Sequence, residues 1–390
     1  MMANKRGRQV ALLVSPTAEK AEGLADTLRS SGFNIAEQLS VRDVDARRPQ
    51  GMHWQRRGYV ALVAAGGDGT VGTAVSQLAG SDLPLGILPL GASNDVARAL
   101  GIPLDLSASC ATIANGATTS VDVGLVIPGP PSQSGASFQS SLRSAARRLL
   151  PPGSLRLALA GPEIRFIHAA TLGLNVEFAR LATDVAWRRR WGPFNYAAAT
   201  MEALTKLHPV PVTLHLGGVQ SAVGHVEQND SQVKGRKPAA DTLSVTCQVV
   251  QVALVNTPVF GGALNLRLPA AHPRDRLLDI VVIEALEPRL LRETVERLLA
   301  ALGALMDRLT SSPAPSSQSP EDDSLLLTEE AARFALPGVR HYQARSVRIE
   351  APTGIEMTLD GEIAARTPAE VCLARDRVRI MIPGEGKVRG

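Results

Sequence analysis

Cysteine is scarce in this 390-residue chain: three residues, Cys110, Cys247 and Cys372, far apart and without CxxC spacing. This excludes a disulfide framework and a structural zinc site, and it fits a reducing cytoplasm. Lysine is almost as rare, at six positions, so 35 of the 41 cations are arginines. Against 37 acidic residues they leave a net charge of only +4, too balanced for a nucleic-acid binder without a concentrated patch. Long apolar runs are missing as well. The longest uncharged stretch, Thr242 to Leu266, carries Ser, Thr, Gln, Asn, Pro258 and a Gly pair, so it is no membrane span. The early run VALLV is too short for a signal-peptide core and is followed by charges at helical spacing. A Walker A loop, GxxxxGK[ST], occurs nowhere. What is present is a globular composition, 45% hydrophobic and 20% charged, long enough for two domains and expected to be soluble or peripheral to a membrane.

The first third alternates apolar runs with helical patterns: QVALLV, EKAEGLADTLRSSG, FNIAEQL, YVALVAA, TVGTAVSQLAG and PLGILPL. That alternation predicts an α/β domain with a parallel sheet, whose ligands bind beyond the C-terminal ends of the strands. Near Val123 it stops, and a Pro/Gly/Ser-rich stretch, PGPPSQSGASFQ, follows. The boundaries expected are residues 1–125 for the α/β domain and 155–390 for a β-rich, antiparallel, sandwich-like domain. Period-2 runs carry the second assignment: IRFIHAATL, VPVTLHL, LSVTCQVVQVALVN, LLDIVVIEAL, HYQARSVRIE and RVRIMIP. Two helical segments interrupt it, VAWRRRWGPFNYAAATMEALTKL and PRLLRETVERLLAALGALMDRL, and residues 228–240 and 311–323 read as low-complexity loops.

Chemistry concentrates at two strand ends. Tyr59 to Val75 reads YVALVAAGGDGTVGTAV, an acid set inside a glycine-rich turn. Such turns cradle phosphates with their N–H groups, and a carboxylate there would repel the anion. Either a divalent cation sits between them, or Asp68 fixes the loop by accepting its N–H bonds. Gly67, Gly69 and Gly72 have GxGxxG spacing, but the loop follows the third strand rather than the first, and no acid closes the next strand to hold a ribose. At that next strand end, LPLGASNDVARALGIP offers Gly91 for close backbone approach and Asn94 or Asp95 as a helix cap. Late in the chain LDGE, Leu359 to Glu362, reads as a type I′ turn centred on Asp360-Gly361.

Together GGDGT, GxxND, SVDVG, HAATLGLNVEFAR, WGPFNYAAATMEAL, VNTPVFGGALNLRLPAAHPRDRLLDIVVI and LDGE resemble the diacylglycerol kinase catalytic-domain family, including the bacterial soluble lipid kinases, and more distantly NAD kinases. The resemblance runs through most of the chain. It implies an ATP-dependent, Mg2+-assisted lipid kinase, with diacylglycerol as the default acceptor and phosphatidic acid as its product. It places Gly66, Gly67, Asp68, Gly69 and Thr70 on the nucleotide phosphates, with Asn94 and Asp95 near the nucleotide or supporting the loop. Glu362 is implied as the base for the acceptor hydroxyl, with Asp360 as its neighbour or a metal contact. A structural magnesium would correspond to Asp275 with main-chain oxygens near His272 and Leu277. The partners implied are a lipid alcohol and a transient membrane surface at the inner face, with no nucleic acid; a homodimer is compatible with the reading.

The chain departs from the family pattern at several points. Gly72-Thr73 stand where Asn-Glu commonly follow GGDGT, Ala92-Ser93 replace a threonine-containing pair, and Ser15-Pro16 replace Asn-Pro. Arg274 and Arg276 flank Asp275 where an acid and a glycine are expected, so a guanidinium pairing with Asp275 could replace the structural magnesium. These departures keep two rival readings open: an NAD-kinase-like phosphotransferase, and a catalytically silent nucleotide-binding relative. His168, His208, His215 and His225 occur singly and read as hydrogen-bonded structural groups. Trp187 and Trp191 bracket three arginines, a run that reads as a solvated helix face or as an interfacial docking patch.

Overall fold

The computed structural model describes residues 8–16, 18, 23–45, 47–129, 163–191, 198–199, 202–203, 208–223, 242–260, 266–268, 271–285, 338–352 and 354–384. The low-complexity loops at 228–240 and 311–323, nearly all of the linker PGPPSQSGASFQ and the helical run PRLLRETVERLLAALGALMDRL lie outside the described residues.

In chain order the first unit comprises β1 (Arg8–Val14), α1 (Leu24–Ser30), β2 (Phe33–Ser40), α2 (Gly51–Arg56), β3 (Ala61–Gly66), α3 (Asp68–Gln77), β4 (Leu85–Pro89), α4 (Asp95–Ala99), α5 (Leu106–Asn115) and β5 (Ala117–Val121). Strands β1, β2, β3 and β4 pair in parallel. The near-continuous apolar runs of β1, β3 and β4 are buried on both faces, as parallel strands between helical layers require, whereas β2 at the sheet edge buries only Phe33 fully. Along β1, Ala11 and Leu13 join Trp54, Val71, Val75 and Leu78 on one side; Val10, Leu12 and Val14 join Leu24, Leu28 and Ile113 on the other. The short helices α2 and α5 were not marked by periodicity. Asp105 nonetheless caps α5, accepting the Ala108 N–H at 2.8 Å.

The second unit comprises β6 (Gly124–Pro128), β7 (Ile164–Phe166), β8 (Ala169–Gly173), α6 (Leu174–Thr183), α7 (Val185–Trp191), β9 (Val210–Gly217), β10 (Ser221–Val223), β11 (Thr242–Val255), β12 (Val259–Phe260), β13 (Leu266–Arg267), β14 (Leu278–Glu284), β15 (Val339–Ala344), β16 (Ser346–Glu350), β17 (Glu356–Leu359), β18 (Glu362–Arg366) and β19 (Ala369–Leu373). It is antiparallel, in the order β10-β15-β14-β11-β9-β16-β19-β6-β7, with β8 joining β11 to the β17–β18 hairpin. Alternation along β9 and β16 sends Val212, Leu214, Leu216, Val347 and Ile349 into one core. The long β11 changes partner midway: β9 pairs with its first half, and β8 with Gln251–Val255.

One expected strand belongs elsewhere. RVRIMIP forms β20 (Val378–Ile382), which enters the first sheet between β4 and β5, parallel to the former and antiparallel to the latter. Its two faces explain the placement, since Ile380 packs into one layer of the α/β core and Met381 into the other. The chain therefore passes from the first sheet to the second between Val121 and Gly124, and returns after Leu373. Because β20 pairs Ile380 with Leu85 at the start of β4, this crossing lies at the N-terminal edge of the parallel strands, and the glycine loops lie at their opposite, C-terminal ends.

Candidate active site

The acid in the glycine loop has a definite role. Asp68 opens α3, and its carboxylate accepts the N–H groups of Asp95 at 3.1 Å and Val96 at 3.0 Å. It thus caps α4 from a neighbouring loop, satisfying donors that a helix start leaves open. Of the two readings of this acid, the geometry shows the one in which it fixes the backbone. Asn94 contributes to the same loop in left-handed conformation (φ 52°), with its amide accepting the Gly91 N–H at 2.9 Å and donating to the Gly91 carbonyl at 2.7 Å. The two loops touch at glycines: a Cβ on Gly91 would run into the main chain of Gly67. Gly66, Gly67, Asp68, Gly69, Thr70, Asn94 and Asp95 therefore cluster at the C-terminal ends of β3 and β4, with Gly67, Asp68 and Gly69 at the partly exposed surface and the other four buried.

The LDGE hairpin meets that surface from the other unit. Asp360 (φ 49°) and Gly361 (φ 86°) are the central residues of the turn between β17 and β18, and both have positive φ, as a type I′ turn requires. Glu362 points at the first turn of α3, where a Cβ on Gly69 would lie 2.6 Å from its Oε1. One turn further along α3, a Cβ on Gly72 would collide with Asp360 Oδ2. The departure at Gly72 thus has a steric reason: the space of the missing side chain is filled by the Asp360 carboxylate.

Asp360 is held more firmly than its partner acid. Its carboxylate accepts three N–H bonds, from Ile167 at 2.9 Å, His168 at 2.8 Å and Ala169 at 3.2 Å, at the break between β7 and β8. Burial pushes its carboxyl up to about 6, against the opposing pull of those N–H groups and of His168. Glu362 is exposed. The geometry distinguishes the two acids, which the resemblance alone had ranked. Asp360 anchors the turn, while Glu362 projects from it.

The proposed structural metal site does not fit. Asp275 is exposed, and its carboxylate accepts the Leu277 N–H at 2.9 Å. The His272 carbonyl already accepts the Arg274 N–H at 2.8 Å. The guanidinium pairing expected at Asp275 occurs instead at Asp122, in the crossing between the sheets. That fully buried carboxylate takes the Arg276 N–H at 2.8 Å, Arg276 Nη1 at 3.2 Å and Arg377 Nε at 2.7 Å. Among the described residues no group of three or more His, Cys, Asp or Glu is placed to hold a metal. Two cationic side chains thus neutralise the buried acid nearest this loop.

Sequence reasoning assigned no role to Asp122, Arg377 or Asn256. Asn256 donates through Nδ2 to the carbonyls of Asp122 and Ile167, both at 2.8 Å, tying the crossing to the Asp360 cradle. Away from the cleft, a cavity of about 320 Å³ opens beside α6. Leu174, Val176, Val210, Val250 and Ile355 line it, and Glu177, Arg180 and Glu356 pair at its rim. In α7 the side chains of Arg189 and Arg190 are exposed, and Asp184 accepts the Trp187 N–H at 2.7 Å.

A glycine loop at the C-terminal edge of a parallel sheet, faced by an acidic hairpin from an antiparallel domain, defines a two-domain architecture with one shared cleft. Known proteins specify the class further. Residues 4–126 match the diacylglycerol kinase catalytic domain, and residues 169–302 match the YegS C-terminal NAD kinase beta sandwich-like domain. The chain thus carries a diacylglycerol kinase catalytic domain followed by a domain of the YegS C-terminal type. It is 25% identical to a diacylglycerol kinase of Mycobacterium tuberculosis (strain CDC 1551 / Oshkosh) over 94% of this chain and 90% of that protein. It is 39% identical to a probable lipid kinase YegS-like protein of Pseudomonas aeruginosa over 24% of this chain and 32% of the relative. A solved structure of a putative diacylglycerol kinase from Bacillus anthracis str. Sterne shares the fold, with a TM-score of 0.54 at 18% identity, covering 96% of this chain and 98% of that one.

Proposed function

We propose that this kinase transfers the γ-phosphate of ATP to the hydroxyl of a lipid alcohol, with diacylglycerol as the first acceptor to test and phosphatidic acid as its product. The observation that carries the reading is the contact between the two motifs, Glu362 against Gly69 and Asp360 against Gly72. Phosphoryl transfer asks little covalent chemistry of a protein and much positioning, so a donor loop and an acceptor-side acid must share one cleft. The N–H groups of Gly67, Asp68 and Gly69 at the start of α3 offer the phosphates an N–H cradle and the positive end of a helix, the Thr70 N–H donating to the Gly67 carbonyl at 3.0 Å. A magnesium ion bound with the nucleotide would supply charge neutralisation for its phosphates. Glu362 takes the proton of the attacking hydroxyl, and the anchored Asp360 sets where Glu362 points.

The cavity beside α6 supports an acceptor with a hydrocarbon chain. Ile355 and Glu356 line it, and β17 runs from there to Asp360, four residues and about 13 Å along an extended strand. No helix among the described residues is long and apolar enough to cross a membrane, so we assign access to lipid to peripheral contact at the inner membrane face, with α7 as the docking element.

The test is incubation of the purified chain with labelled ATP, Mg2+ and a panel of detergent-dispersed lipid alcohols together with NAD. Label in a lipid supports the reading. Label in NAD selects the nicotinamide-nucleotide kinase, and ATP binding without transfer selects a silent relative.

A further inference from the structure

The imidazole of His168 lies where the two units meet, and the mechanism above leaves it without a task. Only 8% exposed, it faces Thr257, fully buried, through Nδ1 at 2.6 Å, and Asp95, 6% exposed, through Nε2 at 3.6 Å. Its main chain is pinned on both sides. The N–H donates to Asp360 Oδ1 at 2.8 Å, and the carbonyl accepts the Asn256 N–H at 2.9 Å. A ring so held cannot drift toward or away from Asp95 without disturbing the acceptor-side turn.

The protonation pattern follows from the partners. A ring nitrogen carrying a lone pair toward the Asp95 carboxylate would set two acceptors face to face, so the proton resides on Nε2. In the neutral ring Nδ1 then accepts from the Thr257 hydroxyl, which closes the pattern. The ring is therefore directional, with a hydroxyl behind it and a carboxylate in front. Asp95 itself is the first residue of α4, a helix of five residues, and Asn94 before it makes no side-chain cap hydrogen bond. So short a helix has no stability of its own and takes its position from tertiary partners. Asp68 supplies one from the nucleotide side, and His168 faces it from the other unit.

We propose that His168 is a positioning residue that holds Asp95 and the start of α4 in register with the Asp360–Glu362 turn, so that the nucleotide loop and the acceptor acid are aligned by one side chain. The kinetic consequence rests on the lipid-kinase reading; the structural one does not.

Two near-isosteres separate this role from simple packing. The amide of Asn superposes on Nδ1 and that of Gln on Nε2, so His168→Asn keeps the Thr257 bond and loses Asp95, while His168→Gln does the reverse. The Asn variant should retain the parental Tm yet lose about tenfold in kcat with ATP and a detergent-dispersed lipid alcohol, with deuterium uptake in residues 94–99 about tenfold faster. The Gln variant should keep kcat within about threefold and exchange slowly, but melt earlier, because the Thr257 hydroxyl is left unpaired. A purely structural histidine would make activity follow stability, the opposite order. Parental kcat and exchange in the Asn variant, or a Gln variant as impaired as Asn in both, would overturn the proposal. Should the parent phosphorylate no lipid alcohol, the functional reading falls, and the exchange order alone decides the role of His168.

Discussion

Removing Arg377 tests whether guanidinium groups, rather than a divalent cation, hold the crossing between the two sheets. Asp122 is inaccessible, and its side chain is flanked by Arg276 and Arg377, whose own side chains are 40% and 37% exposed. Breaking a buried ion pair by deleting one partner costs about 3–5 kcal/mol when the remaining charge is left bare. Here Arg276 still donates two bonds to Asp122, and the guanidinium that departs is partly in water, so roughly half that cost is expected for Arg377→Met, about 2 kcal/mol. Part of it comes from the 3.0 Å bond that Arg377 Nη2 donates to the Arg274 carbonyl. For domains of this size that loss corresponds to a drop in Tm of about 4–8 °C. Differential scanning calorimetry in EDTA and in millimolar Mg2+ reads both halves of the argument. The parental Tm should be the same in the two buffers and the variant's lower in both. A parental Tm raised by several degrees in Mg2+, or an Arg377→Met variant melting within a degree of the parent, would refute the guanidinium assignment. Arg276→Gly is the companion variant: it removes a second cation but also relieves a non-glycine residue at φ 65°, a strain of about 1–2 kcal/mol, so it should cost less than Arg377→Met.

Four further outcomes are expected. Glu362→Gln should lower kcat by about 10²–10⁴ with little change in ATP affinity, the usual scale for loss of a general base, as single-turnover kinetics and equilibrium dialysis would show. Gly72→Ala should push its methyl into the Asp360 carboxylate and cost about 1–3 kcal/mol in chemical denaturation, whereas Thr73→Ala at the neighbouring half-buried position should be milder. Because the folded pKa of Asp360 is raised to about 6, its protonation favours the folded chain: that stabilisation is full below about pH 4 and is lost as pH rises through 6. Unfolding measured against Asp360→Ala should therefore show the parent gaining at most about 3 kcal/mol from pH 7 to pH 4. Replacing Arg188, Arg189 and Arg190 by glutamine should weaken binding to anionic vesicles by about 1 kcal/mol per residue in a salt-sensitive manner, while turnover of a detergent-dispersed lipid is retained.

What could be read from the sequence was local, and what could not was pairing at a distance. The apolar runs of β1, β3 and β4 announce buried parallel strands, and Asp360-Gly361 announces its turn, because each depends on neighbours a few residues away. RVRIMIP has the alternation of any half-buried strand, and nothing in it tells which sheet it will join. Arg377 and Asp122 are 255 residues apart, so no spacing rule links them. GGDGT marks a glycine-rich turn but does not say that its acid accepts the N–H groups of α4, since that depends on how two strand ends sit side by side. His168, read singly, looks like any satisfied histidine. Its distinction is the identity of the groups on either side of its ring, Thr257 and Asp95, which come from two other stretches of chain.

The placement of β20 bears on how the molecule can be made. β4 and β5 have no hydrogen-bonded contact in the sheet except through this strand, so while the ribosome is still producing residues beyond 128 the α/β unit has a slot where an inner strand belongs. Its unpaired edges would invite foreign strands until Val378–Ile382 emerges. The unit whose residues come first is therefore finished last, contrary to the ordinary sequence in which N-terminal domains fold as they leave the ribosome. Cutting the chain just before Val378 would strip the parallel sheet of an interior strand while sparing the antiparallel one, and an excised fragment of residues 1–128 would be a sheet with a gap in it.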